Sequence, residues 1–120
     1  MLDPGARGMA TSPWIHRRWP RARARVRLFC LAHAGGGASL FRDWQAAFPD
    51  SVDVCAVQLP GREARLVEPA FRRMSALVPE LARALLPLLD RPFAFFGRIL
   101  LYVMQFFHRL THTWCVAIIL

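Results

Sequence analysis

The sequence has no lysine. All sixteen basic residues are arginine, set against eight acidic residues for a net charge of +8. Its three cysteines, Cys30, Cys55 and Cys115, form no CxxC pair, which excludes the common zinc and dithiol-redox signatures. No uninterrupted apolar run reaches the roughly 18 residues of a membrane-spanning helix. The C-terminal segment comes nearest, but Gln105, His108, Arg109, Thr111, His112 and Thr113 interrupt it. No apolar run follows the N-terminal charges, so a secretory signal is not expected. Acidic residues are absent beyond Gly97. His108 and His112, four apart on one helical face, therefore lack the further ligands a metal needs. Neither a metal nor a cofactor is expected. The pattern G-x-S-x-G, which presents a nucleophilic serine on a strand-to-helix turn, is also missing.

What is present begins with charge. A positive balance attracts nucleic acid, anionic lipid or an acidic protein partner. The arginines are scattered rather than striped, so a nucleic-acid surface is not expected. The exception is "HRRWPRARARVR", His16 to Arg27. It reads as a solvated leader into the first strand, or alternatively as a nucleic-acid or membrane arm. Cys30 and Cys55 sit in apolar runs and suit small buried residues of a reducing compartment, hence a cytoplasmic location.

Residues 1–20 carry Pro, Gly, Arg and Trp without periodicity and read as a flexible leader. "VRLFCLA", Val26 to Ala32, has the length and apolarity of a strand buried on both faces of a parallel sheet. The loop "HAGGGAS" follows. Ser39 is placed to cap a helix over "LFRDWQAAF", whose Leu40, Phe41, Trp44, Ala47 and Phe48 share one face. "VDVCAVQLP", Val52 to Pro60, reads as a second strand, and "GREARLVEPAFRR" as a polar loop. "SALVPELARALLPLL", Ser75 to Leu89, reads as a helix, with Pro79 tolerated near its first turn. "RPFAFFG" supplies a third strand ending at Gly97. Strand, helix, strand, helix, strand is the signature of a parallel α/β sheet.

The vocabulary then changes. All seven glycines, nine prolines and eight acidic residues lie at or before Gly97, whereas three of four isoleucines and the only tyrosine lie after it. The chain is read as a leader over 1–20, a domain over 21–97 and a divergent apolar tail over 98–120.

"RLFCLAHAGGGASLFRDWQAAFP", "VCAVQLPGREARLVEPAFRRM" and "RPFAFFG" closely resemble the N-terminal part of the type II thioesterases. These are the external editing enzymes that accompany polyketide synthases and nonribosomal peptide synthetases. The resemblance covers about residues 14–97. It implies an α/β-hydrolase fold, here a truncated one: a partial parallel sheet with flanking helices and an atypical C-terminal helical tail. It also implies hydrolysis of acyl thioesters held on the phosphopantetheine arms of acyl and peptidyl carrier proteins, as part of antibiotic biosynthesis. The partners implied are those carrier proteins, with no nucleic acid.

Acyl transfer needs backbone N–H groups aimed at the developing oxyanion. By resemblance Ala34, just after His33, supplies one such amide, with Gly35 beside it. The family's third strand continues into Gly-His-Ser-Met-Gly. Aligned on Gly97, Arg98 takes the histidine position, Ile99 the serine, Leu100 the methionine and Leu101 the second glycine. Isoleucine has no nucleophilic atom, so no catalytic residue is assigned and the chain is expected to be inactive. The strands that hold the family's aspartate and catalytic histidine would follow the last residue.

Neither Ser39 nor Cys115 is expected to substitute as the nucleophile: a helix cap accounts for Ser39, and Cys115 has no glycine on either side. The tail has three readings: a frame-shifted or misjoined continuation, a surrogate helix packed on the sheet, or a membrane-surface helix. Two alternatives to an inactive thioesterase fragment stand beside it, a non-catalytic carrier-protein-binding module and a small basic membrane-associated protein.

Overall fold

A computed structural model describes residues 12–17, 19–32 and 36–97 together with the strand Val116–Ile118. The sheet has five strands: β1 (Ile15–His16), β2 (Val26–Leu31), β3 (Val52–Val57), β4 (Phe93–Phe96) and β5 (Val116–Ile118). Their order is β1-β3-β2-β4-β5. β2, β3, β4 and β5 run parallel, and β1 joins the edge antiparallel to β3.

Strand periodicity sorts the core into two layers, because alternate side chains leave opposite faces of the sheet. Phe29 and Leu31 of β2, Cys55 and Val57 of β3, and Phe93 and Phe95 of β4 cluster with Val78, Leu81, Ala82 and Leu85. The last four belong to α1 (Met74–Leu85) and make one stripe at helical spacing. Phe29 lies 5.4 Å from Phe95 between ring centroids, and Phe93 lies 5.8 Å from Phe95. On the opposite face Leu28, Cys30, Val54 and Ala56 pack with Ala38 and Phe41. Both faces are therefore covered over β2 and β3, as apolar runs in parallel strands require.

Four features depart from the sequence expectation. Residues 39–48 form two 3-10 turns, Ala38–Phe41 and Trp44–Ala47, instead of one helix. The cause is Gln45. Its amide donates to Val52 O and accepts from Val54 N–H, both at 2.8 Å. It completes an edge of β3 that β1, paired only at Ala56 and Val57, is too short to cover. Second, Ser39 does not cap by its side chain: the residue preceding the first turn is Gly37, and no side-chain cap bond forms there. Third, α1 ends at Leu85 and runs on as a 3-10 turn, Leu86–Leu88, with Pro79 in its second turn instead of its first. Pro79 has no N–H, so the helix forgoes one backbone bond there and is held by its buried stripe. Fourth, the segment read as a leader contributes β1, and Ile15 is buried in the α1-side core.

The tail expected to be helical is a strand over Val116–Ile118, where Ala94, Phe95 and Phe96 pair with Val116, Ala117 and Ile118. β4 would otherwise be an unpaired edge. The remaining tail residues, among them Ile99, His108, His112 and Cys115, lie outside the described residues.

The arginine run also divides. Of the arginines expected in a solvated leader, Arg27 is buried against Asp53, and half-buried Arg17 reaches the same carboxylate with its side chain. Arg27 and Asp53 are direct neighbours across β2 and β3 and sit in the α1-side row of side chains.

Candidate functional site

Ligands in open parallel sheets bind outside the carboxyl ends of the strands, where the order reverses direction. Here that point is the crevice between β2 and β4. The connection after β2 leads outward to β3, and the chain after β4 leads the other way to β5. The loop "AHAGGGAS" leaves β2 at this end and Gly97 leaves β4 at this end. Cys30 pairs with Phe96 across the two strands, so both exits are side by side.

Gly97 has φ +146°, a backbone state that side chains avoid. A Cβ there would stand 2.6 Å from the Leu31 carbonyl oxygen. The turn out of β4 thus needs a glycine for two separate reasons. The residues in the family's nucleophile position and beside it, Arg98 to Leu101, lie outside the described residues, as do His33, Ala34 and Gly35. The flanks of the glycine loop, Ala32 and Gly36 to Ser39, are described.

Those flanks are held by the next loop, "QLPGREARLVE". Gln58 is fully buried. Its Oε1 accepts the Ala38 N–H at 3.0 Å, and its Nε2 donates to Arg62 O at 3.0 Å. Glu63 accepts the Ser39 N–H at 3.2 Å through Oε2, and its Oε1 accepts the Ser39 hydroxyl. Glu63 adopts φ +43° and is the one non-glycine residue at positive φ among those described. Gly61, at φ +83°, makes the tight turn before it, where a Cβ would come within 2.7 Å of Ala70 Cβ. Arg65 closes the loop from behind. It donates to Gln58 O at 3.1 Å, pairs with Glu68 through Nε and Nη2, and lies 4.3 Å over the Trp14 ring. The hydrogen bond from Arg65 holds the Glu68 carboxyl below the usual carboxylate range. Gln58 N–H donates to Trp14 O at 2.8 Å, so the N-terminal strand secures the same loop.

Neither buried cysteine is a nucleophile candidate. Burial pushes the Cys30 thiol up to about 12 and raises Cys55 as well, so both stay protonated and unreactive. Among the described residues no cluster of three or more His, Cys, Asp or Glu forms a metal centre. A cleft of about 530 Å³ opens against β1 and β3, with Val54, Ala56 and Phe41 among its walls, and it reaches Ala38, Ser39 and Glu63 at the flank of the glycine loop. Neither Gly97 nor any residue of β2 lines it.

The carboxyl ends of β2 and β4 therefore lie side by side, and the turn out of β4 requires a glycine at 97. Gln58 and Glu63 were legible as family markers, yet nothing in their spacing shows that they grip the loop twenty residues earlier.

The Thioesterase domain family matches residues 26–97. Linear gramicidin dehydrogenase LgrE of Brevibacillus parabrevis is 47% identical over 89 residues, which is 74% of this chain and 34% of that protein. Gramicidin S biosynthesis protein GrsT of Aneurinibacillus migulanus is 42% identical over 84 residues, or 70% of this chain and 33% of the relative. The solved structure of BorB, the type II thioesterase of the borrelidin biosynthetic cluster, superposes with a TM-score of 0.75 at 29% identity, covering 85% of this chain and 45% of that one. The chain belongs to the thioesterase family. Its likeness to these proteins places it with the type II thioesterases of nonribosomal peptide and polyketide pathways, and it spans about a third of the length of the two sequence relatives.

Proposed function

We propose that this chain carries the oxyanion-loop half of a type II thioesterase site and that it does not itself hydrolyse thioesters. The substrates for which such a site is shaped are acyl groups on the phosphopantetheine arms of acyl or peptidyl carrier proteins. The observation that supports the first part most is the crevice between β2 and β4, where the braced glycine loop leaves one strand and Gly97 leaves its neighbour.

In acyl transfer a nucleophile attacks the thioester carbonyl and the carbonyl oxygen becomes an oxyanion. Backbone N–H groups fixed in advance stabilise that charge. In the α/β-hydrolase arrangement one N–H comes from the loop after the strand that β2 represents, and the other from the residue following the nucleophile. Ala34, with Gly35 beside it, is our assignment for the first. Ile99 at the nucleophile position offers no atom to attack, and Leu101 stands where the turn requires a second glycine. The attacking group is thus absent, and the Leu101 side chain displaces the turn on which the remaining backbone donor depends. No metal or cofactor enters this chemistry. The free, buried thiols of Cys30 and Cys55 fit a reducing, cytoplasmic setting.

Purified protein should hydrolyse acyl-pantetheine thioesters no faster than buffer. Saturable turnover that a single substitution in the chain abolishes would refute the proposal. A second reading, carrier-protein binding without catalysis, is favoured by one feature. Arg42, Arg72 and Arg73 are exposed and make no ion pair among the described residues, which suits an acidic partner. Capture of a carrier protein by a chain without turnover selects that reading.

A further inference from the structure

We propose that the loop joining β3 to α1 is a protein-docking surface, with Leu66, Val67 and Phe71 as its apolar contact and Arg72 and Arg73 as its charge. Its partner is a carrier protein, gripped at the base of the phosphopantetheine arm. This rests on the carrier-protein-binding reading above and adds where the partner sits. A solvated loop has no folding reason to display such side chains. Val67 is 96% exposed, Leu66 71% and Phe71 38%. Three on one loop exceed the single exposed apolar residues that any surface carries, and such displays mark interaction sites.

The loop presents these residues on a fixed backbone. It winds through a 3-10 turn, Glu63–Arg65. Gly61 N–H and Glu68 N–H both donate to Arg65 O, at 2.9 and 3.1 Å, and Leu66 N–H donates to Glu63 O at 3.0 Å. The buried Arg65 side chain pairs with Glu68, and Ala70 closes on Gly61. A surface fixed in advance loses less entropy on binding. The loop also starts beside the glycine loop, because Gln58 bonds both Ala38 N–H and Arg62 O. That is the carboxyl end of the sheet, where a ligand arm enters. Arg72 and Arg73 are exposed and make no ion pair among the described residues. The arm is joined to its protein by a phosphodiester, whose paired oxygens suit a guanidinium fork. The same charges oppose a second copy of this chain, which would set arginine against arginine. Glu68 stands between Val67 and Phe71. The hydrogen bond from Arg65 holds its carboxyl below the usual range and therefore ionised. A fixed anion within the apolar contact opposes an anionic lipid surface.

Titration calorimetry of the whole chain with a phosphopantetheinylated acyl carrier protein tests this. The unaltered chain should bind. Val67→Asp should weaken binding about 10-fold or more, the scale of an interface hot spot, and Leu66→Ser should do the same. Arg72→Ala combined with Arg73→Ala should weaken it about 5- to 10-fold at low salt, with the difference fading as salt is raised. Leu86→Ser alters another exposed apolar residue, at the far end of α1, and should bind as the unaltered chain does. Side chains this exposed contribute little to folding. Urea midpoints of all variants should therefore coincide, so that a loss of affinity reports the surface. Unchanged affinity in Val67→Asp and in the double arginine variant overturns the surface and leaves the carrier-protein-binding reading standing, as does an equal loss in Leu86→Ser. No binding by the unaltered chain removes that reading, and the surface with it. Flotation with phosphatidylglycerol vesicles that Val67→Asp abolishes, without carrier-protein binding, would assign the loop to a membrane instead.

Discussion

Arg27→Ala is expected to cost about 3–5 kcal/mol of folding stability, as removal of one partner from a buried ion pair does. That is a large share of the ~5–15 kcal/mol that holds a domain together. Arg27 is 1% exposed and Asp53 is fully buried. The guanidinium donates to Asp53 Oδ2 at 3.2 Å, to Leu88 O at 2.9 Å and to the Asp90 carboxylate. One side chain thus joins β2, β3 and the turn that follows α1. Asp53 also holds Arg17 at 2.5 Å, which anchors the chain leaving β1. Burial raises the Asp90 carboxyl, but the hydrogen bond from Arg91 and the charges of Arg27 and Arg91 outweigh it and keep the group below its ordinary range. The alanine variant leaves the Leu88 carbonyl unpaired and Asp53 with only part of its compensation. Arg27→Lys should recover less than half of the loss, because an ammonium cannot serve three separated acceptors with the guanidinium's fixed fork. Urea unfolding of the three proteins measures both effects. A loss below about 1 kcal/mol for the alanine variant, the level of an exposed pair, would show that the cluster is not structural.

The second large effect is expected at Gly97. Gly97→Ala should destabilise by about 2–5 kcal/mol, combining a strained φ with a close backbone contact. The φ of +146° disfavours any side chain, and the obstruction is the Leu31 carbonyl, part of a strand with no freedom to retreat. Relief requires β4 to shift against β2, so hydrogen exchange should rise first at Phe95 and Phe96. A stable variant with unchanged exchange in β4 would mean that the close turn is not needed. The prediction separates two roles that one glycine plays in this family. The shape of the exit from β4 is kept, although the residues that would use it, from Arg98 on, no longer match the family pattern.

Much of this arrangement was legible in the sequence. Three apolar runs of strand length matched β2, β3 and β4, and the segment read as a helix over Ser75–Leu89 contains most of α1. What failed has physical causes. Ile15 and His16 pair for two residues only, too short for any periodicity to show. The "LFRDWQAAF" segment has helical spacing, but Gln45 is drawn to the open edge of β3, and tertiary hydrogen bonds override local propensity. The buried arginines were hidden by composition: sixteen arginines in one chain make any single one look like solvated surface. Arg27 is distinguished only by its place inside an apolar strand, opposite an aspartate in the next strand.

The site was legible in part. The glycine loop and the position of the missing serine were assigned against the family motif, and Ala34, Gly35 and Ile99 all lie outside the described residues. The grip of Gln58 and Glu63 could not be read, because it depends on the β2–β3 register and on a left-handed glutamate. Neither leaves a pattern in one sequence.

The most direct test of the central claim is an intact-mass measurement. The chain is incubated with an excess of an acyl-pantetheine thioester, and its mass is followed over time. A working nucleophile at the β4 exit would trap the acyl group as an ester before water releases it. With Ile99 in that position the mass should stay that of the unmodified chain throughout. A stoichiometric acyl adduct mapping to one residue, and lost when that residue is replaced, would contradict the account.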